Sequence, residues 1–296
     1  MNNNNPAVRV VILNYNESSY TVDLVKQLEK QSYPSLEIVV VDNASKQEEK
    51  QLLKLLPDHV ITLFSEENLG YARGNNKGII AKTGKTPDYH LILNNDLIME
   101  DVDFVKKLVK GMLLHPRVAA SSPLVDTVAV DQPLEDQIQV RRILSADQMF
   151  KLAVPLFTPF IKNLTHYFLY RDQMPFVNKY TVCDSINGAA FMIDAAFVQV
   201  YGGLDEGTFL YYEEIILGRK ILEAKKTCML NGYTSVKHLQ GISTGSNSKT
   251  VNRKMEVYKY QSALYYLKKY ENLGGFRSAV FVTLNEISIL LKKIIK

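Results

Sequence analysis

The segment Leu91-Ile-Leu-Asn-Asn-Asp96 is a short apolar run that ends in three polar residues. As a β-strand, it would deliver two amides and one carboxylate to the edge of a sheet. Mg²⁺ prefers oxygen ligands and typically takes one or two carboxylates, sharing its other positions with phosphates. Asp96 is therefore a candidate metal ligand. An ordinary helix N-cap explains a lone strand-terminal Asp equally well.

Two earlier segments have the same form. Val10–Leu13 runs into Asn14-Tyr15-Asn16, and Ile38–Val41 runs into Asp42-Asn43. Continuous β-branched runs predict buried parallel strands, and apolar residues at helical spacing follow each of them. The predicted fold is α/β, a mostly parallel sheet flanked by helices. Ligands of such sheets bind beyond the carboxyl ends of the strands, so we expect the three polar ends to meet at one rim.

Between the second and third strands lies Asn68–Gly78, with three glycines and three asparagines in eleven residues. Glycines let the backbone approach a ligand closely, and amides can both donate and accept hydrogen bonds. The same composition is also typical of a turn that leads into a helix. The segment matches neither the G-x-G-x-x-G pattern nor the P-loop pattern, which disfavours a dehydrogenase or a P-loop enzyme.

Taken together, four segments in this order resemble the family 2 inverting glycosyltransferases of the GT-A fold: Val11–Asn16, Val40–Ser45, Asn68–Gly78 and Leu93–Asp96. The first and third are most similar to the rhamnosyltransferase-like branch. The resemblance continues through Asn187–Ile193, Gly202–Glu206, Phe209–Glu214 and His238. Residues 124–180 and the C-terminal tail have no clear counterpart.

The resemblance implies a donor site and a divalent metal, Mn²⁺ or Mg²⁺. It places Asp42 against the base of a nucleotide-diphosphate sugar and Asp96 and His238 at the metal, where His238 begins a His-x-x-Gly element ending at Gly241. Asn94 stands where the family often has a second acid. Lys237, Lys249 and Arg253 are alternative diphosphate contacts. The remaining donor residues implied are Asn14, Asn16, Asn68, Gly70, Arg73, Asn75 and Asn95.

The same resemblance assigns catalysis to the pair Glu213-Glu214, with Glu214 as the base that takes the proton of the acceptor hydroxyl. Glu214 replaces the usual Asp, and Ile216 replaces a further family acid two residues on. A purely structural account is also open, since acids in the first turn of a helix are stabilised by about 0.3–1 kcal/mol.

Length and composition suit one large α/β domain with a helical extension. The chain has 296 residues, is 46% hydrophobic and carries a net charge of +4. We divide it into a GT-A domain at 1–245, with a nucleotide-sugar half at 1–123 and an acceptor half at 124–245, and a helical region at 246–296. Cys183 and Cys228 have neither metal nor redox spacing. The start lacks a secretory signal pattern, so we expect a cytoplasmic protein.

The C-terminal region has an apolar stripe at helical spacing, formed by Val280, Leu284, Ile287, Leu291 and Ile294. Polar residues interrupt it too often for a membrane span. It predicts an interfacial helix at the inner face of the plasma membrane, or a helix packed on its own domain or on a second subunit. Lysines, arginines and tyrosines mix in residues 249–269, but we expect no nucleic acid partner.

The sequence thus predicts an inverting, metal-dependent glycosyltransferase that moves rhamnose or a hexose to a surface-polysaccharide or lipid-linked glycan acceptor. The alternative is a non-catalytic nucleotide-sugar-binding subunit of a glycan assembly complex. A sugar nucleotidyltransferase would need a basic glycine-rich loop after the first strand, and Asn14–Ser19 is not one. The oligomeric state stays open.

Overall fold

The computed structural model describes residues 5–239 and 253–294. Within these ranges the chain forms nine strands: β1 (Val8–Asn14), β2 (Leu36–Asp42), β3 (Ile61–Phe64), β4 (Tyr89–Asn94), β5 (Leu97–Ile98), β6 (Val118–Thr127), β7 (Tyr180–Cys183), β8 (Ala190–Asp194) and β9 (Thr227–His238). The α-helices of the same ranges are α1 (Ser18–Leu28), α2 (Gln47–Leu53), α3 (Gly70–Ile79), α4 (Phe104–Leu113), α5 (Ala146–Ala153), α6 (Lys162–Phe168), α7 (Ala195–Tyr201), α8 (Glu213–Glu223), α9 (Arg253–Tyr270) and α10 (Gly275–Ile294). Short 3₁₀ helices lie at Leu134–Asp136, Pro155–Phe160 and Arg171–Gln173.

The strands form one sheet in the order β3-β2-β1-β4-β8-β6-β9-β5, with β7 also paired to β9. β3, β2, β1 and β4 run parallel, as do β6 and β9, whereas β8, β7 and β5 are antiparallel to their neighbours. The register places Asn14 opposite Asp42 and Leu13 opposite Asn94. The polar strand ends therefore lie side by side, and the predicted α/β fold is confirmed.

Burial on both faces explains the continuous apolar runs of the central strands. Alternate residues of a strand point to opposite faces of the sheet. Val10 and Ile12 of β1 pack in a core cluster with α1 and α4, whereas Val11 packs in a second cluster with α3, α7 and α8. All three are 0% exposed. A strand covered by helices on both sides needs no polar alternation.

Helix α3 takes up most of the segment Asn68–Gly78, because the chain is helical from Gly70 onward, as the alternative of a turn leading into a helix predicts. Two of its glycines face the sheet rather than a ligand. A Cβ at Gly74 would lie 2.5 Å from Leu13 Cδ1, and one at Gly78 would lie 2.5 Å from Val11 Cγ1. These glycines therefore let α3 pack closely on β1.

The predicted C-terminal helical region is present as α9 and α10, which pack in a third core cluster with α5 and α8. Tyr266, Phe281, Met149 and Ile216 belong to this cluster and are each at most 1% exposed. Residues 240–252, which include Gly241, Lys249 and the proposed boundary at 245, lie outside the described residues.

Three residues of the predicted apolar stripe of α10 lie on the outside of this cluster, whereas Leu284 packs against it. Val280, Ile287 and Leu291 are 37%, 40% and 40% exposed, whereas Asn285 is 4% exposed. Asn285 tolerates burial because its Nδ2 donates to the Phe281 carbonyl oxygen 3.0 Å away. No helix in the described ranges combines the length and apolar content needed to cross a bilayer.

Candidate active site

A pocket of about 440 Å³ opens at the carboxyl edge of β1, β2 and β4. It is lined by Leu13, Tyr15, Asn43, Asn68, Gly70, Tyr71, Asn94, Asn95, Asp96, Phe209, Leu210, Tyr211, His238, Lys254, Met255 and Tyr258. This position and volume are typical of small-molecule sites in α/β proteins. A larger hollow of about 910 Å³ surrounds Arg9 and Tyr89 at the other end of the strands, away from every predicted site residue.

Asp96 and His238 form one corner of the pocket. His238 Nε2 lies 3.1 Å from Asp96 Oδ1 and 3.4 Å from Asn94 Nδ2. The antiparallel pairing of β5 with β9, in which Leu97 faces His238, brings these distant residues together. The Asp96 and His238 side chains are 7% and 12% exposed, so both are largely buried while still lining the pocket.

This donor set fits a divalent cation. A carboxylate oxygen and a neutral imidazole nitrogen are both common metal ligands. Two adjacent ligands at about 2.1 Å from an octahedral ion are about 3 Å apart, close to the observed separation. The described residues contain no group of three or more His, Cys, Asp or Glu that could hold an ion. A metal at Asp96 and His238 would therefore depend on substrate and water for its other ligands.

Asn14 and Asp42 lie beneath the pocket, and both are 0% exposed. Asn14 Nδ2 donates to Asp42 Oδ1 at 2.9 Å, and Asn14 Oδ1 accepts from the Thr21 hydroxyl at 2.7 Å. The Ser45 backbone N–H donates to Asp42 Oδ2 at 3.1 Å. These bonds engage both oxygens of the carboxylate and fix the ends of β1 and β2. Neither Asn14 nor Asp42 lines the pocket.

Asn16 and Asn95 extend this network. The Lys46 N–H donates to Asn16 Oδ1 at 2.9 Å, which ties together the loops that follow β1 and β2. Asn95 Nδ2 lies 3.3 Å from Asn14 Oδ1 and donates to the Glu17 carbonyl oxygen at 3.1 Å. Asn95 lines the pocket, whereas Asn16 does not.

Asn43, Asn68 and Gly70 form one wall of the pocket. Asn43 Nδ2 donates to Asn68 Oδ1 at 3.0 Å, and Asn43 Oδ1 accepts from the Leu69 N–H at 2.9 Å. Gly70 has a φ of 78°, and a Cβ there would lie 2.4 Å from the Phe209 carbonyl oxygen. Glycine is therefore required at this position. Asn43 was missed as a site residue, although it directly follows Asp42.

Arg73 and Asn75 do not line the pocket. Arg73 Nε lies 3.8 Å from Glu206 Oε2, and both side chains are more than half exposed. Asn75 is 0% exposed, and its Nδ2 donates to the Tyr71 carbonyl oxygen at 3.0 Å within α3. The structure thus separates these two predicted donor residues from Asn68 and Gly70.

The first turns of α9 supply another wall through Lys254, Met255 and Tyr258. The Tyr258 ring packs on Phe209 with the ring centroids 4.7 Å apart, and the Lys254 Nζ lies 5.6 Å from the Tyr258 centroid. Sequence reasoning missed these residues. The available signal was the mixture of basic and tyrosine residues at 249–269.

The basic residues suggested for a diphosphate lie elsewhere. Lys237 Nζ makes a 2.7 Å ion pair with Glu100 Oε1, and Arg253 is exposed at the start of α9. Lys249 is outside the described residues. Among the lysines and arginines that the structure describes, Lys254 is the one that lines the pocket.

Helix α9 is tied to the loop before α8 through Asp205. Asp205 Oδ2 accepts from Lys269 Nζ at 2.7 Å and from the Tyr270 hydroxyl at 2.5 Å, and Oδ1 accepts from the Tyr265 hydroxyl at 2.7 Å. Gly207 lets the Tyr265 ring approach, since a Cβ there would lie 1.9 Å from Cζ. The pocket wall on α9 is therefore anchored to the loop that leads into α8.

Two acids open α8. Glu213 is 4% exposed, and its Oε1 accepts from the Thr208 hydroxyl at 3.0 Å. Burial, together with the charge of Glu214, raises the pKa of Glu213 to about 8, so this carboxyl keeps its proton at neutral pH. Tyr211 and Tyr212, just before the helix, have φ values of 75° and 74°. Such backbone strain in non-glycine residues is frequent at functional sites.

Glu214 stands behind Gly188 and next to Arg141. Arg141 Nη1 lies 3.2 Å from Glu214 Oε1, an ion pair without hydrogen-bond alignment, and Nη1 has no other partner among the described residues. The Tyr71 hydroxyl donates to the Gly188 carbonyl oxygen at 2.6 Å. Glu213 and Glu214 do not line the pocket, but Tyr71 does, and its hydrogen bond to Gly188 links the pocket wall to the residue in front of Glu214.

Residues 9–192 match the family model named Glycosyl transferase family 2. The match covers more than half of the chain, from β1 into β8. The chain belongs to this family. It is a glycosyltransferase, as the resemblance implied. No curated protein matches the sequence.

Solved glycosyltransferases share the fold. The mannosyltransferase PcManGT from Pyrobaculum calidifontis, in complex with GDP-Man and Mn²⁺, has a TM-score of 0.53 and 16% identity over 95% of this chain and 75% of that one. GalNAc-T7, solved with UDP, GalNAc and Mn²⁺, has a TM-score of 0.62 and 17% identity over 92% of this chain and 51% of that one. TarS from S. aureus has a TM-score of 0.52 and 11% identity over 90% and 73%.

In this glycosyltransferase, packing explains why Ile216 stands where the family resemblance implies an acid. Ile216 is 0% exposed and belongs to the cluster that contains Tyr266 and Phe281 of the C-terminal helices. A carboxylate there would be buried among apolar groups at a large free-energy cost. The apolar residue is therefore the one that this position requires once α9 and α10 cover α8.

Proposed function

We propose that this glycosyltransferase moves one sugar from a nucleotide-diphosphate donor to a glycan hydroxyl, with inversion at the anomeric carbon and with Mn²⁺ or Mg²⁺ bound. The observation that carries the proposal is the continuity of one pocket from Asp96 and His238 to Tyr71, whose hydroxyl holds Gly188 in front of Glu214. A donor in this pocket would place its diphosphate at the metal residues and its sugar toward Glu214.

The nucleoside would lie against the wall formed by Asn43, Asn68 and Gly70. The amides of Asn43 and Asn68 can donate and accept at a ribose or a base. Asp42 and Asn14 support this wall from beneath, so we assign the direct contact to Asn43 and a supporting role to Asp42. The family assignment of Asp42 to the base stays a prediction.

Asp96 and His238 would hold the metal, which supplies Lewis-acid stabilisation of the charge on the leaving nucleoside diphosphate. Lys254, on the α9 wall of the same pocket, brings a second positive charge near the same group. This arrangement replaces the glycine-rich phosphate loop that the sequence lacks.

Glu214 would act as the general base. Its carboxylate takes the proton of the acceptor hydroxyl while that oxygen bonds to the anomeric carbon, and the diphosphate leaves with the electron pair of the broken C–O bond. Burial and the neighbouring Glu214 raise the pKa of Glu213 to about 8, so Glu213 is protonated at neutral pH and is not assigned the role of the base.

We propose rhamnose or a hexose as the sugar, and a surface polysaccharide or lipid-linked glycan as the acceptor. The segments Val11–Asn16 and Asn68–Gly78 support the first choice through their resemblance to the rhamnosyltransferase-like branch. The structural neighbours solved with GDP-Man and with UDP make both of these nucleotides the next ones to test.

We further propose peripheral contact with the cytoplasmic face of a membrane through α10. Phe276 and Leu290 are 83% and 51% exposed, on the same outer side as Val280 and Ile287. Interfacial helices bury such apolar faces among lipid headgroups. Sedimentation with anionic vesicles tests this, with a Phe276→Ser/Leu290→Ser variant as comparison. Failure of the unmodified protein to sediment, or self-association through α10, would contradict it.

The first experiment is nucleoside diphosphate release across a panel of nucleotide sugars, with Mn²⁺, Mg²⁺ or a chelator. One donor should be turned over, with loss of release in chelator and in the Asp96→Ala and Glu214→Gln variants. Glu223→Gln, on the exposed part of the same helix, is the matched control for the second variant.

A non-catalytic nucleotide-sugar-binding subunit is the competing function, which the Glu214 and Ile216 departures motivate. It predicts tight donor binding with no release in any metal, even when glycan acceptors are added. Calorimetric titration of the same donor panel separates the two functions, because Glu214→Gln should spare binding in both.

A further inference from the structure

Arg141 and Gly188 flank the Glu214 carboxylate on two sides. Arg141 Nη1 lies 3.2 Å from Oε1, whereas a Cβ at Gly188 would lie 3.7 Å from Oε2. Apart from Gly188 and its two chain neighbours, the described atoms within 4 Å of that Cβ position belong to the Glu214 carboxylate. One oxygen therefore faces a guanidinium, and the other lies on the side of Gly188, where no side chain stands.

Backbone and side-chain hydrogen bonds fix the Arg141 segment relative to α8. The Arg141 N–H donates to the Ser185 carbonyl oxygen at 3.0 Å, and the Ser185 N–H donates to the Arg141 carbonyl oxygen at 3.0 Å. The Ser185 hydroxyl also donates to the Glu214 carbonyl oxygen at 2.9 Å. Ser185 thus hydrogen-bonds to both segments, the one that carries the Arg141 guanidinium and the one that carries the Glu214 carboxylate.

Among the lysines, arginines and histidines that the structure describes, Arg141 is the one that contacts the Glu214 carboxylate. The other titratable groups that face it are Glu213, Tyr71 and Tyr212. Glu213 is protonated at neutral pH, and burial raises the pKa of both tyrosine hydroxyls above the ordinary value, so these groups carry no charge there. The side chains of Arg141 and Glu214 are only 23% and 20% exposed, which limits screening by solvent.

We propose that Arg141 is a positioning residue for the base of this glycosyltransferase. It holds Oε1, so that Oε2 alone faces the acceptor hydroxyl in the space that Gly188 leaves open. The inference rests on the proposed function. It explains how Glu214 serves where the family uses Asp, because the additional methylene adds a rotatable bond that the ion pair restrains.

The chemical step then has a defined proton path. The acceptor hydroxyl gives its proton to Oε2, its oxygen bonds to the anomeric carbon, and the nucleoside diphosphate departs with the electrons of the broken bond. Oε1 stays paired with Arg141 throughout. After product release, Oε2 returns its proton to water.

The first test compares variants in donor turnover, using the donor identified by the release screen. Arg141→Gln should lower kcat by about 10- to 100-fold, the range expected when a catalytic group moves by about 1 Å, with the donor KM within two-fold of the parent. Arg141→Lys should restore part of the loss. Arg219→Gln, at an ion-paired arginine of α8 that does not contact Glu214, is the matched control.

A double-mutant cycle separates positioning from a general structural effect. Glu214→Asp shortens the base away from Arg141, so adding Arg141→Gln to it should cost much less than in the parent. Equal losses in both backgrounds, or an unchanged kcat in Arg141→Gln, would overturn the proposal. Absence of donor turnover in the parent would instead overturn the proposed function and the positioning role together.

Gly188→Ala tests the open side of the carboxylate independently. The added methyl meets Glu214 at an ordinary contact distance, so the variant should fold and bind donor with an unchanged Kd. Its turnover should fall at least 10-fold, since the methyl occupies the space in front of Oε2. Unchanged turnover in a folded Gly188→Ala protein would refute the assignment of Oε2 as the reacting oxygen.

Discussion

Replacing Glu213 by glutamine should stabilise the protein at neutral pH, by an amount that grows as pH rises. The folded-state pKa of this carboxyl is about 8, whereas its ordinary value is 4.5. Between these values the folded protein keeps a proton that the unfolded chain has lost, so stability falls with increasing pH. Glutamine has no such proton to lose, and its amide oxygen can still accept from Thr208.

The magnitude follows from the width of this window. Each pH unit between the two pKa values costs the parent about 1.4 kcal/mol of unfolding free energy. Between pH 5 and pH 7 the Glu213→Gln variant should therefore gain about 3 kcal/mol relative to the parent. That is a large part of the roughly 5–15 kcal/mol that stabilises an ordinary domain, and the gain should level off above about pH 8.

Urea unfolding at pH 5, 6, 7 and 8, followed by circular dichroism, measures the effect, since the chain has no tryptophan to report by fluorescence. Glu66→Gln, the same change at an exposed position, is the control. A stability difference that stays constant from pH 5 to pH 8 would show that Glu213 is ionised in the folded protein and would refute the reasoning.

Three other substitutions test the packing around the site. Gly70→Ala should lower the melting temperature and weaken donor binding, because a Cβ 2.4 Å from the Phe209 carbonyl oxygen must displace backbone at a φ of 78°; a normal melt with normal binding would contradict this. Asp205→Asn should cost about 1–3 kcal/mol in urea unfolding at pH 6. Burial raises the pKa of Asp205, but hydrogen bonds from Lys269 and two tyrosines lower it overall. The cost in unfolding free energy should therefore shrink below pH 3.8, and a cost that persists there would contradict this role of the Asp205 carboxylate. Ile216→Ala should cost about 2–5 kcal/mol at any pH, and a cost under 1 kcal/mol would show that α8 is not packed as described.

The sheet and its polar edge could be predicted because they depend on local pattern. The β-branched runs before Asn14 and Asp42 and the apolar run before Asn94 indicated buried strands, and parallel register then brings the strand ends together. The approach of His238 to Asp96 came from resemblance to the family. The structure places the two side chains 3.1 Å apart, and their binding of a metal stays a prediction.

The unpredicted parts depend on contacts between distant segments. Arg141 lies in residues 124–180, which show no clear periodicity, and its approach to Glu214 is visible only once Ser185 pairs with it. Lys254 and Tyr258 were recognised only as part of a mixture of basic and tyrosine residues, because their neighbours in space lie on the loop before α8, which is distant in sequence. Gly74 and Gly78 of α3 were interpreted as loop residues, since their contact with β1 leaves no local signal in the sequence.

The wall that α9 contributes to the pocket has a consequence for the order in which the protein becomes active. Ribosomes make the chain from its amino end, so the sheet, Asp96, His238 and the acidic pair all emerge before Lys254 and Tyr258. A nascent chain lacks one side of this pocket until α9 has left the ribosome and its tyrosines and Lys269 have bonded to Asp205. The pocket is therefore complete only after α9 has been synthesised and has packed against the loop before α8.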